Sequence, residues 1–121
     1  MSSGSGGGLA DLVAARLAPL RIISAAWPLD DWLPCLQVTA HPAGGGRWRV
    51  TVVCWHTGRA AAEDAASAIF QLLNGWDSPA PWHRMTARVA GSWQPAGCDR
   101  AWATVTATTR WEGVPDAPVD E

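Results

Sequence analysis

The residue types best suited to chemistry meet in Cys54-Trp55-His56, with Cys35, Cys98 and His83 elsewhere in the chain. Together they could supply thiolates and an imidazole for a tetrahedral zinc ion. The spacing argues otherwise. Cys54 and His56 stand at i and i+2 on a predicted strand, and Cys54 shares its face with Trp48, Val50 and Val52, which marks a core cysteine. A Cys–His nucleophile pair fails for the same reason, since no third residue is placed to orient the base. Asp30-Asp31 and Asp99 read as lone acids in solvated turns. Gly44-Gly45-Gly46 precedes a strand instead of a helix N-terminus and has no Lys-Ser/Thr after it, so it is no phosphate loop. No catalytic residue, cofactor-binding residue or metal ligand is expected, and no enzyme.

Tryptophan is the other chemically loaded residue, with nine Trp against one Phe. Arginines stand beside several of them: Arg47 and Arg49 flank Trp48, Arg84 is near Trp82, and Arg100 is near Trp102. Such pairs can stack single-stranded bases. A net charge of −2 opposes a partner held by phosphate neutralisation, however, and the Arg residues form no continuous stripe. Nine Trp exceed what the interior of one small domain can hold. Those in predicted loops (Trp27, Trp32, Trp76, Trp82 and Trp93) should be partly exposed, and exposed Trp is characteristic of protein–protein contact cores.

The elements that position these residues follow from hydrophobic period. Met1 to Gly8 is Ser/Gly-rich and expected to be flexible. Leu9 to Leu20 has helical spacing in Leu9, Leu12, Val13, Arg16, Leu17 and Leu20. Cys35 to His41 alternates as a strand, Pro42 to Gly46 is a turn, and Arg47 to Trp55 returns antiparallel. The period then changes from two to 3.6. Ala62, Ala65, Ala66, Ile69, Phe70 and Leu73 form one stripe of a helix over Thr57–Asn74, with Thr57 as N-cap and Gly75 as its left-handed stop. Arg84 to Ala90 is a third strand and Arg100 to Trp111 a fourth. Glu112 to Glu121 carries two Pro and four acidic residues with little to pack. The expected fold class is α+β, with helices packed on a mostly antiparallel sheet in the order α-β-β-α-β-β. The expected organisation is a flexible segment 1–8, one domain over 9–112, and an extended acidic tail over 113–121.

Composition sets the remaining bounds. At 121 residues the chain can bury roughly two thirds of its unfolded surface in one core. A hydrophobic share of 48% against 17% charged is too apolar for a disordered chain. The three cysteines are odd in number and widely spaced, and the N-terminus MSSGSGGG lacks a basic region followed by an apolar run. The expectation is therefore reduced thiols in a chain without a secretory leader. No apolar run reaches the ~20 residues of a membrane span.

The helix LADLVAARLAPL, the approach LPCLQVTAHPAGGGRW, the unit VTVVCWHTGRAAAEDAASAIFQLL and the late strand DRAWATVTATTRW follow one another in an order that resembles the tail terminator (tail-completion) proteins of long-tailed bacteriophages, especially those infecting actinobacteria. The resemblance spans roughly residues 9–112 and has no catalytic-style motif. It implies a structural virion protein that forms a ring of six copies on the head-proximal end of the tail tube. Its implied partners are further copies of itself, the tail tube protein and the head–tail connector or neck proteins, with genomic DNA only as passing cargo. The implied location is the tail–neck junction of the virion, after synthesis in the host cytoplasm. Another neck, connector or tail-tube subunit is the alternative within the virion. A single-stranded nucleic-acid-binding module using the Trp/Arg pairs, or a small enzyme centred on Cys54 and His56, is the alternative outside it.

Overall fold

The computed structural model describes residues 6–20, 22–24, 34–78, 82–97 and 100–110. In chain order the elements are helix α1 (Gly6–Arg16), a 3-10 turn (Ala18–Leu20), strands β1 (Ile23–Ser24), β2 (Cys35–Gly44) and β3 (Arg47–His56), helix α2 (Arg59–Leu73), and strands β4 (Thr86–Trp93) and β5 (Ala101–Arg110). The strands form one sheet in the order β1-β2-β3-β5-β4. The expected order α-β-β-α-β-β is therefore corrected. A further strand, β1, precedes the hairpin and pairs parallel with β2 through Ile23–Cys35 and Ser24–Leu36, and the architecture is dominated by its sheet. Two residues are too short a run to show a period, and only the pairing with β2 defines them as a strand.

The β2–β3 hairpin closes on Gly45 and Gly46, with φ of +62° and +78°. Two successive positive φ values are what a tight hairpin turn demands, and only glycine adopts them freely. The strand β2 thus runs past His41 through Pro42 to Gly44, with a register shift between the last two. Pro42 is tolerated because β1 reaches only Cys35 and Leu36, which leaves this stretch of β2 at the sheet edge.

Both helices cover one face of the sheet. From β3 that face receives Val50, Val52 and Cys54, and from β5 Ala101, Ala103, Val105 and Ala107, all buried. Leu36 joins them from β2. Above them lie Leu9, Val13 and Leu17 of α1 and its following turn, and Ala62, Ala66, Ile69 and Leu73 of α2. The alanines of β5 and α2 let the helix sit close to the sheet, and each fully buried Leu or Ile contributes about 1.5–3 kcal/mol. The far ends of the two helices are tied together by Arg16, whose Nε donates to the Leu72 carbonyl at 2.8 Å and whose guanidinium lies 5.2 Å over the Trp76 ring.

Helix boundaries differ from the sequence expectation in two places. The first helix begins at Gly6 and stops at Arg16, because Pro19 has no N–H for a further helical bond and its ring crowds the preceding turn. Thr57 does not cap α2. Gly58 occupies the N-cap position in an extended conformation with no side-chain cap. The orphan N–H of Arg59 is met instead by Gln94 Oε1 at 3.0 Å, a residue 35 positions away. Gly75 does take the left-handed conformation after the helix, at φ +79°. The expected N-terminal segment falls partly, and the acidic tail wholly, outside the described residues.

Candidate functional site

Cys54 is fully buried in the core cluster, in register with Leu36 on one side and Ala103 on the other. Burial, and secondarily the neighbouring Cys35, pushes its thiol up to about 12. A nucleophile or zinc ligand needs the thiolate, which such a group does not supply near neutrality. His56 engages its own neighbour, with the Thr57 N–H donating to Nδ1 at 2.9 Å. Among the described residues no group of three His, Cys, Asp or Glu could hold a metal ion. Cys98, Asp30, Asp31 and Asp99 lie outside the described residues.

What the sheet presents instead is its second face, which none of the described helices covers. Alternation dictates its content. Opposite the buried set, β3 turns out Arg47, Arg49, Thr51, Val53 and Trp55, and β5 turns out Trp102, Thr104, Thr106, Thr108 and Arg110. The cross-strand pairs Arg47–Arg110, Arg49–Thr108, Thr51–Thr106, Val53–Thr104 and Trp55–Trp102 arrange these residues in rows. The face is thus aromatic at one end, threonine-rich in the middle and cationic at the other.

The aromatic end depends on a bulge. Register between β4 and β5 shifts between Val89 and Gly91, so that Trp93 pairs with Trp102. An uninterrupted strand would have sent Trp93 to the helix side; the extra residue re-aims it. The outcome is a run of three indoles. Trp55 and Trp102 have ring centroids 4.7 Å apart at 44°, and Trp93 meets Trp102 at 4.4 Å and 65°. Trp93 is 53% exposed, the largest apolar side chain so placed among the described residues. The Trp55 Nε1 is buried without a hydrogen-bond acceptor among the described residues, a cost of about 1–3 kcal/mol.

The bulge leaves Ser92 on the helix side, where it secures α2. Its hydroxyl donates to Glu63 Oε2, and Arg59 Nε donates to both at 3.0 Å and 3.2 Å. The Ser92 hydroxyl first, and then Arg59, holds the Glu63 carboxyl below its ordinary range.

The cationic end is a cleft of about 350 Å³ lined by Arg47, His83, Arg84, Thr86, Thr108, Thr109 and Arg110. Its wall is the loop after α2, pinned where the His83 N–H donates to the Arg110 carbonyl at 3.0 Å and the Thr109 hydroxyl donates to the His83 carbonyl at 2.6 Å. Arg84 forks onto Asp77 at 2.8 Å and 3.2 Å, which lowers the Asp77 pKa and raises that of Arg84.

These positions redistribute the predicted tryptophans. Trp82 is not exposed; it is buried at 4% and meets Trp48 edge-on at 6.0 Å. Trp76 is half-buried under Arg16, and Trp27 and Trp32 lie outside the described residues. Trp48 points to the helix side while Arg47 and Arg49 point to the other, so that trio forms no stacking platform. Trp102 and Arg110 stand eight residues apart on one strand, roughly 26 Å at ~3.3 Å per residue, which separates the indoles from the cationic cleft. No described helix is long and apolar enough to cross a membrane.

No protein family matches the chain, and no curated protein is similar to it. Among solved structures, the fold is shared with a chain of "Virion of native gene transfer agent (GTA) particle". The TM-score is 0.63 at 17% identity, over 85% of this chain and 93% of that one, a likeness of fold.

Proposed function

We propose that this chain is a structural protein of a phage-like virion and, within it, the tail terminator: six copies in a ring on the head-proximal end of the tail tube. The ring would stop tube growth, present a surface to the neck proteins and let the genome pass. The shared fold with a chain of a virion particle, over nearly the whole length of both, carries the reading. The sheet face agrees with it. The exposed indole of Trp93, grouped with the half-buried Trp55 and Trp102, is the kind of surface that centres a protein contact. In a closed ring that contact joins neighbouring copies head to tail. No catalysis is assigned to the chain.

The test is the particle. Averaged images of the tail–neck junction should show one layer of six copies with the tryptophan face against a neighbour. Trp93→Ala, at a site open to solvent in the single chain, should leave the fold intact and lower incorporation into particles. A linear repeat along the whole tail would make the chain a tube subunit instead. Absence from virions would sink the proposal.

A further inference from the structure

The cleft at the cationic end of the sheet is lined by donors. Each of its lining residues (three arginines, three threonines and His83) carries a side chain able to donate a hydrogen bond, and none is an acid. The carboxylate beside it, Asp77, is already held by Arg84. Among the described residues the other acids are Asp11, Glu63 and Asp64, and all three belong to the helices on the far side of the sheet. A net charge of −2 opposes a partner held through many phosphates, but it does not describe this one face.

Strand register sets the spacing of the donors. Arg47 and Arg49 stand two residues apart on β3, roughly 6.7 Å along one face. Both are exposed, and neither forms an ion pair with a described residue. Thr108 of β5 lies across from Arg49, and Thr86 of β4 lies across from Thr108, so two hydroxyls form a row beside Arg47. Arg84 enters from the segment after α2, oriented by its fork onto Asp77.

The number of donors selects the anion. The Arg84–Asp77 fork shows one guanidinium satisfying both oxygens of a carboxylate. Arg47 and two threonine hydroxyls offer more than those two oxygens need. A phosphate monoester presents three acceptor oxygens and about two charges, which matches the larger set. The volume of about 350 Å³ lies at the small end for ligand sites and leaves room for the group that bears the phosphate.

We infer that this cleft binds a single phosphate group, with Arg47 as its main charged ligand and Thr86 and Thr108 as hydroxyl donors. Binding is a property of the single chain and needs no ring, so its failure and that of the ring are separable.

The test titrates the full chain, labelled for NMR, with inorganic phosphate and separately with acetate, at an ionic strength held near about 0.1 M with chloride. Phosphate should give saturable shifts at Arg47, Thr86 and Thr108 and none at Trp93 or Glu63, with acetate far weaker. Arg47→Ala should weaken phosphate binding at least about tenfold, the worth of one hydrogen bond to a charged group. Arg47→Lys should restore part of it, since it keeps the charge without the fork. Thermal melts separate a lost site from a lost fold, and Thr108→Val, which keeps the strand and removes one hydroxyl, should weaken binding in the same direction. Oligothymidylates of equal length, with and without a 5′-phosphate, then name the source. Shifts with the first alone assign a terminal phosphate, equal shifts with both assign a backbone phosphate, and shifts with neither assign free phosphate or a small ester. Equal responses to phosphate and acetate, shifts that do not saturate, or natural affinity in Arg47→Ala would each overturn the proposal.

Discussion

Cys54 makes alkaline stability a sharp test of the core. In the unfolded chain its thiol ionises near the ordinary value of 9.0, whereas in the folded chain burial first, and Cys35 second, raises it to about 12. Below pH 9 both states hold the proton and the contribution to stability is fully present. Between about pH 9 and 12 the unfolded chain releases the proton while the folded chain retains it, so stability falls by about 1.4 kcal/mol per pH unit and is lost through the folded value. At pH 10.5 the loss is about 2 kcal/mol, a substantial part of the ~5–15 kcal/mol typical of a domain. The composition makes this unusually clean. The chain has no Tyr and its nine basic residues are all Arg, so neither phenols nor lysines titrate in the window. Urea midpoints read by tryptophan fluorescence at pH 8 and 10.5 give the slope directly. Cys54→Ala costs about 1 kcal/mol at pH 8 through the lost sulfur. Its stability should nevertheless fall less steeply with pH, by up to one proton's worth. A variant whose slope equals that of the natural chain would refute the burial argument, as would modification of Cys54 by a thiol reagent at pH 8 at the rate of a free thiol.

Two further outcomes probe the scaffold and the ligand chemistry. Ile69→Asp places an unpaired carboxylate beneath α2, where Ile69 is wholly buried, and should cost several kcal/mol in thermal or urea unfolding. Glu63→Ala removes only an exposed interaction with Arg59 and Ser92 and should leave the unfolding midpoint nearly unchanged. Elemental analysis of the purified protein should find less than about one-tenth equivalent of zinc, with no shift of the melting curve by chelator; a stoichiometric metal would restore the Cys/His site.

How far the sequence reached depends on what each element needed. The stripe of α2 and the inward set Val50, Val52 and Cys54 are readable because burial itself writes the period: the structure buries Ala62, Ala66, Ile69 and Leu73 with the strand residues and leaves Ala65 and Phe70 half-buried at the margin of the stripe. Thr57 was misread as a cap because a hydroxyl before a helix is a local signal, while the group that meets the Arg59 N–H comes from Gln94 across the fold. Ile22 and Ile23 could begin a strand by residue type, but Trp27-Pro28 and Leu33-Pro34 interrupt the run, and it is the parallel pairing with β2 that makes Ile23–Ser24 a strand. The third strand ended at Ala90 in the sequence reading because Gly91-Ser92 looked like a turn. In the structure the ladder with Ala103 and Trp102 carries the strand through to Trp93.

That last misreading hid the candidate site. Trp93 could be assigned to a loop or, by simple alternation from Thr86, to the core side; both choices separate it from Trp102. The bulge at Ala90 changes the phase once and brings three tryptophans from distant positions into one row. A single inserted residue therefore turns a sheet face that would have been threonine with scattered aromatics into one with a distinct hydrophobic end. The cationic end needs no such device, since Arg47 and Arg110 begin and end strands already in register. The two ends then ask for different partners. The exposed indole of Trp93 suits another protein surface, whereas a cleft lined by Arg47, Arg84 and Arg110 suits an anionic group. In the proposed ring the first demand is met by a neighbouring copy.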